Sequence, residues 1–185
     1  MDFGLSEEQE LLQETVRGFL THECPVSKLR EIFDGESGHD SALWSGLLEM
    51  GLGGIAIPEA YGGAGMESLD LALVCEVLGE RAVPSPFLSH SIAGLALTYG
   101  GSEEQKTKWL PKLASGDVLG SVALGEDDSL WQPEEWNARV SGETVSGTKV
   151  FVPEKAKHFV LDQDEELIID ERGVRLASSE PEDAD

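Results

Sequence analysis

Basic residues are scarce. Thirteen Lys and Arg stand against 36 Asp and Glu in 185 residues, a formal charge of −23. A field of that sign repels phosphate, which excludes nucleic acid and anionic membrane surfaces as partners. Cysteine is nearly absent. Cys24 and Cys75 have no CxxC spacing and read as two thiols in a reducing compartment, with a lone disulfide as the alternative. His22, His39, His90 and His158 are scattered, so no metal-ligand spacing is visible. No apolar run is long enough to span a bilayer. The start, Met-Asp-Phe-Gly-Leu-Ser, has neither the basic nor the apolar region of a signal peptide. The expectation is therefore a soluble, cytoplasmic chain without a membrane partner. Nor is there a GxGxxG after a strand, a P-loop or a nucleophile elbow.

What remains is globular: 40% hydrophobic and 26% charged residues, enough for one ordinary domain or two small ones. The first two-thirds reads as helix. Ser6-Glu7-Glu8-Gln9 is a capping box, followed by Leu12, Val16, Phe19 and Leu20 at helical spacing, and Pro25 closes that helix. A short helix over Lys28 to Phe33 follows. Asp40 caps a third, carrying Leu43, Trp44, Leu47, Leu48 and Met50, with Gly51 as its stop. The stretch from Leu52 to Gly65 holds five glycines and a proline and reads as an ordered, compact loop. A fourth helix runs from Ser68 to Arg81, with Leu69, Leu73, Val77 and Leu78 facing inward. An apolar helix after Pro84 and Pro86 runs to Tyr99. Ser102-Glu103-Glu104-Gln105 is a second capping box, opening a helix that Pro111 bends or restarts before Gly116.

From Asp117 the period becomes strand-like. Short β-type runs cover Val118 to Leu124, Ala138 to Val140, Thr148 to Val152, His158 to Leu161, Glu166 to Ile169 and Val174 to Leu176. Turns are predicted at Ser141-Gly142-Glu143 and Glu171-Arg172-Gly173. The fold class is α+β: an all-α helical bundle over 1–116, a partial β-barrel unit over 117–177 and an acidic tail over 178–185. Glu126, Asp127 and Asp128 read as a solvated turn rather than an acid/base pair, and His158 as structural rather than a base. Trp44 and Trp109 read as core; Trp131 and Trp136 read as surface or interface residues flanking the acidic turn.

Two segments carry more. Ile57-Pro58-Glu59-Ala60-Tyr61-Gly62-Gly63-Ala64-Gly65, and downstream the run from Gly101-Ser102-Glu103-Glu104-Gln105 to Trp109-Leu110-Pro111-Lys112-Leu113, resemble the N-terminal domain of acyl-CoA dehydrogenases in residues, order and spacing. The resemblance implies an N-terminal helical domain, a middle β-barrel and a C-terminal four-helix domain. It also implies FAD-dependent α,β-dehydrogenation of an acyl-CoA thioester, with electron-transfer flavoprotein as the reoxidising partner and a homo- or hetero-oligomeric state. Within the loop, Glu59 and Tyr61 invite a catalytic role, but packing of Tyr61 against the helices is the reading preferred here.

The family's first flavin segment, of the type Ala-Leu-Thr-Glu-Pro followed by Gly-Ser-Asp, is similar to Ala123-Leu124-Gly125-Glu126-Asp127-Asp128-Ser129. Gly125 stands in place of the threonine and Asp127 in place of the proline, while Ser129 is aligned with the serine near the pyrophosphate. The second, Asn-Gly-Thr-Lys-Val-Trp-Ile-Thr-Asn, is similar to Ser146-Gly147-Thr148-Lys149-Val150-Phe151-Val152-Pro153-Glu154. Phe151 takes the place of the tryptophan that stacks on the isoalloxazine. Pro153 supplies neither hydroxyl nor N–H. The implied cofactor-binding set is Ala123, Leu124, Gly125, Ser129, Phe151, Val152 and Pro153, with no catalytic residue and no metal ligand. The family's catalytic glutamate belongs to the C-terminal domain, which has no counterpart in this sequence. Three readings follow. One is a truncated dehydrogenase or the partner subunit of a heteromeric one; the other is a non-catalytic scaffold without its own flavin. A flavin oxidase or nitroalkane-oxidising enzyme on the same fold is a third.

Overall fold

The computed structural model describes residues 4–35, 38–123, 125–126, 136–141, 144–150, 158–160, 166–170 and 173–176. Six helices lead: α1 (Glu7–Glu23), α2 (Val26–Asp34), α3 (Ser41–Glu49), α4 (Ser68–Glu80), α5 (Phe87–Gly100) and α6 (Glu103–Ser115). Local chemistry sets their starts. Ser6 Oγ accepts from the Gln9 amide and Gln9 Oε1 accepts from the Ser6 amide. The Ser102–Gln105 pair repeats the arrangement on α6. Asp40 accepts the Leu43 amide at 2.8 Å. Each cap satisfies donors that the first helical turn leaves without intrahelical partners.

Helices α1 and α4 pack side by side and run in the same direction. Residues one turn apart on α1 form a polar seam with α4: Gln9 donates to Asp70, Gln13 to Glu76 and Arg17 to Glu80, and Arg81, just past α4, donates to Thr21. Beneath it, Val16 and Leu20 are sealed against Leu71, Val74, Val77 and Leu78, with Leu47, Leu52, Ile55 and Phe87 completing the main core. A second cluster joins Ile57 to Leu97, Trp109, Leu110 and Leu113.

Two inward-facing or helix-breaking expectations need correction. Leu69 is 51% exposed, because it sits in the first turn of α4 beside an open cleft. Leu71 and Val74 take buried places beside the expected Leu73, Val77 and Leu78. Pro111 does not restart a helix: it lies inside the continuous α6. Its ring removes the amide that would bond Thr107, and both residues are exposed, so water can satisfy that carbonyl.

The loop between α3 and α4 is ordered, with 3-10 turns at Leu52–Gly54 and Glu59–Tyr61. It doubles back on itself through Ala64 N to Gly54 O, Gly65 N to Ile57 O and Met66 N to Ile55 O, at 2.8–2.9 Å. Gly63 is essential to that return: a Cβ there would overlap the Ile57 carbonyl.

After α6 the chain becomes extended. β1 (Gly120–Val122) lies on α5 and pairs in parallel with β4 (His158–Val160), which continues antiparallel to β5 (Glu166–Asp170) and β6 (Gly173–Leu176). Gly120 opposes His158, Phe159 opposes Leu167 and Ile168 opposes Arg175. β2 (Arg139–Ser141) and β3 (Thr144–Ser146) form a separate antiparallel pair, and Gly142 and Glu143 of the predicted turn lie outside the described residues. Thus a four-stranded sheet and an antiparallel pair stand where a partial barrel is expected. β3 is an element that sequence reasoning missed. Of the predicted run Thr148 to Val152, Thr148 and Lys149 are irregular and Val150 forms an isolated bridge; Phe151 and Val152 lie outside the described residues. The expected acidic tail over 178–185 lies outside them too. Among the described residues no helix is long and apolar enough to cross a membrane, and Cys24 and Cys75 are free thiols.

Candidate functional site

The two sequence-predicted flavin segments meet in space. Beyond the end of β1, Ala123 is buried, and Gly125 pairs antiparallel with Val150, whose amide donates to the Gly125 carbonyl at 2.8 Å. Gly125, also buried, brings no side chain to this contact. Of the remaining predicted site residues, Leu124, Ser129, Phe151, Val152 and Pro153 lie outside the described residues, as do Asp127 and Asp128.

Glu126 overturns the solvated-turn reading. It is 3% exposed. Its carboxylate accepts the Asn137 and Ala138 amides and meets Lys149 Nζ at 3.1 Å. That ammonium in turn sits 3.5 Å from the centroid of the Trp136 ring, an attractive cation–π geometry. Burial alone would raise the Glu126 pKa. The two amide hydrogen bonds and Lys149 more than reverse this, leaving it below the ordinary glutamate value and the carboxylate charged. Trp136 is half-buried, part of this cluster rather than a bare surface residue.

A second buried polar centre, also missed from sequence, joins helices to strand. His90 on α5 is 1% exposed. Its Nδ1 faces the Gly120 amide at 3.3 Å and its Nε2 faces the Leu113 carbonyl at 3.1 Å. An amide can only donate and a carbonyl only accept, so Nδ1 is the acceptor and the proton resides on Nε2. Trp44 meets the ring edge-on, with centroids 5.2 Å apart. Burial holds the His90 pKa below its ordinary value, outweighing the backbone hydrogen bonds at Leu113 and Gly53 that raise it. The available signal was a polar residue in the apolar row His90, Ala93, Gly94 and Leu97.

In the Gly-rich loop, Tyr61 packs on the second core cluster and donates to Glu103 at 2.9 Å, while Lys106 holds the other Glu103 oxygen. Hydrogen bonding to that carboxylate raises the Tyr61 pKa; Lys106 and then Tyr61 lower that of Glu103. This fastens the loop to α6. Glu59 is exposed. Trp109 is core, as expected, and Trp44 packs against the main cluster from a half-buried position. An open cleft of about 420 Å³ lies between the start of α4 and the end of α5, lined by Met66, Leu69, Leu95 and Tyr99 among others. Among the described residues no group of His, Cys, Asp or Glu is arranged to hold a metal ion.

A helical bundle with a folded-back Gly-rich loop, followed by strands that bring two separated segments together, defines a helical domain docked on the beginning of a β unit. The chain belongs to the acyl-CoA dehydrogenase family: residues 6–117 match its N-terminal domain. It is 38% identical over 124 residues to acyl-CoA dehydrogenase IpdE2 of Mycolicibacterium smegmatis, covering 66% of this chain and 39% of that relative. The chain therefore spans well under half of that protein. Its fold is similar to a variant of the Tcur3481–Tcur3483 steroid ACAD, with a TM-score of 0.76 and 28% identity, covering 92% of this chain and 54% of the other. It is likewise similar to the ChsE4–ChsE5 complex from Mycobacterium tuberculosis, with a TM-score of 0.75 and 27% identity, covering 95% of this chain and 48% of that one.

Proposed function

We propose that the chain contributes the N-terminal part of an FAD-dependent acyl-CoA dehydrogenase that desaturates an acyl-CoA thioester between its α and β carbons. In this reading it works as a partner subunit of a heteromeric enzyme or as a shortened form of the full polypeptide. Residues 1–116 are its helical domain, 117–177 part of the middle β-barrel and 178–185 a tail. Electron-transfer flavoprotein is its redox partner and the cytoplasm its location.

The observation that carries this reading is the Gly125–Val150 pairing, which joins the two segments that resemble flavin-contacting segments. The described residues fit the flat isoalloxazine: Ala123 and Gly125 are small, and the neighbouring charges of Glu126 and Lys149 neutralise each other. Ala123, Leu124, Gly125 and Ser129 from the first segment, with Phe151, Val152 and Pro153 from the second, would hold it. FAD, when bound, supplies the acceptor for the hydride that leaves the β carbon. No residue of this chain is assigned the removal of the α proton. Heteromeric assembly is supported by the two-chain ChsE4–ChsE5 neighbour. It is also supported by an apolar row on α5, where Leu88, Ile92 and Tyr99 are 53%, 36% and 80% exposed; a further helical unit would cover such a row.

The competing reading is a scaffold subunit that binds neither flavin nor thioester by itself. One observation favours it: the only charged side chains described at the junction, Glu126 and Lys149, are engaged with each other, and Gly125 offers no hydroxyl. Flavin-band absorbance of the purified chain, alone and co-purified with a dehydrogenase subunit, separates the two. Stoichiometric bound FAD in either preparation supports the dehydrogenase reading. No flavin in either preparation refutes it and leaves the scaffold.

A further inference from the structure

Among the described residues, little backbone holds the junction. β1 ends at Val122, and Gly125–Val150 is an isolated bridge in which the Val150 amide donates to the Gly125 carbonyl. The intervening chain makes closure entropically unfavourable, and a single backbone hydrogen bond exchanged with water offsets little of that cost. Glu126 is different in kind. Its two oxygens gather three donors from two other stretches of chain: the Asn137 and Ala138 amides, and Lys149 Nζ one residue before the bridge. All three bonds are charge-assisted and therefore stronger than neutral ones. The Glu126 side chain is 4% exposed and that of Lys149 12%, so water screens the pair poorly. Trp136 lies against the ammonium. Removing Lys149 would leave the buried Glu126 carboxylate without the cation beside it.

We propose that Glu126 is a positioning residue: its carboxylate latches the 136–138 stretch and Lys149 together and thereby holds the two flavin-facing segments in register. This rests on the flavin reading only for the identity of the ligand; the latch itself is a property of the chain. Among the described residues, a latch that pairs both charges leaves backbone and small side chains at the junction, which suits an uncharged planar ring more than a phosphate.

The test uses the full chain carrying Glu126→Gln, Lys149→Met, both together, or Lys149→Arg. Amide hydrogen exchange reads the latch, with Val16 and Leu20 in α1 as internal controls for folding. Glu126→Gln and Lys149→Met should each accelerate exchange at Val150 by about tenfold or more, with the α1 amides unchanged. The double variant should be no worse than either single one, and Lys149→Arg should restore protection. Accelerated exchange at Asn137 and Ala138 with Val150 unaffected would overturn the proposal, because Glu126 would then only cap a local turn. FAD titration reads the ligand: affinity should fall by about tenfold in Glu126→Gln, and unchanged affinity would overturn its positioning role toward the flavin. A wild-type chain that takes up no FAD while Glu126 protects Val150 refutes the flavin reading and upholds the latch.

Discussion

Replacing His90 with phenylalanine should weaken the junction between the helices and β1 without changing its shape. The imidazole is the only side chain bonded to both the Leu113 carbonyl and the Gly120 amide in the described structure. Phenylalanine would strand the Gly120 amide in a buried site, at about 1–3 kcal/mol, and take one hydrogen bond, worth about 0.5–1.5 kcal/mol, from the Leu113 carbonyl, which keeps the Gly116 amide. Its ring can keep the edge-on contact with Trp44, worth about 0.5–1.5 kcal/mol. The net loss is then about 1.5–4.5 kcal/mol, or a Tm lower by about 3–18 °C. Gly120 has no slack to compensate by shifting, because even a Cβ there would press on Ala93 and Leu113 at 2.8–2.9 Å. pH separates the hydrogen bonds from packing. The folded chain holds the His90 pKa below its ordinary value, so as pH falls through about 6.5 the unfolded chain binds a proton that the folded one resists. Wild-type stability should therefore fall on acidification through a channel that the phenylalanine variant lacks. Urea unfolding of both proteins at about pH 7.5 and about pH 5 measures this. The stability gap should narrow at the lower pH, and the many carboxylates cancel because both proteins share them. A gap unchanged between the two pH values, or a variant within about 0.5 kcal/mol of wild type, would refute the assignment of proton and partners.

Gly63→Ala should be among the most damaging substitutions in the helical domain. The new Cβ meets the Ile57 carbonyl rather than a movable side chain, so a loss above about 3 kcal/mol is expected in thermal melts. Asp40→Ala removes the α3 cap and the Lys28 pair and should cost about 0.5–2 kcal/mol at neutral pH. The Leu43 amide foremost, and Lys28, depress the Asp40 pKa. Its contribution is therefore present above the ordinary carboxylate value and lost as pH falls through the depressed one, so acid titration of both proteins should bring their stabilities together. Leu110→Ala empties a fully buried site between α5 and α6 and should cost about 2–5 kcal/mol by chemical denaturation. Leu69→Ala, at a half-exposed position, should cost less than about 1 kcal/mol in the same assay.

Legibility from sequence follows the distance over which each contact acts. Ser6, Asp40 and Ser102 announce their helices because a cap is settled within four residues, and all three form the expected bonds. The loop from Leu52 to Gly65 is legible as ordered because its glycines and proline exclude regular helix. Its closure at Gly63 is less so, since the clash involves a carbonyl six positions back. Leu69 and Leu73 obey the same period, yet only Leu73 is covered. Periodicity gives a direction but not the neighbour that stands there. β3 was missed because Thr144-Val145-Ser146 has no apolar pattern of its own and exists through pairing with Arg139–Ser141.

Glu126 shows where local reading fails most sharply at the candidate site. Beside Asp127 and Asp128 it looks like one more member of a solvated acidic turn, a fair inference in a chain with 36 acidic residues. What distinguishes it is Lys149, in the other flavin-like segment, together with two amides from a third stretch of chain. Neither neighbour in sequence carries that information. The resemblance aligned the two segments separately and drew attention to the polar groups they have lost, at Gly125 and Pro153. The fold adds what replaces local polarity as an organising force: a buried carboxylate whose partners are chosen by the register of the segments it joins. If that register is what suits the junction to a flat ring, then lost hydroxyls and retained geometry are separable properties.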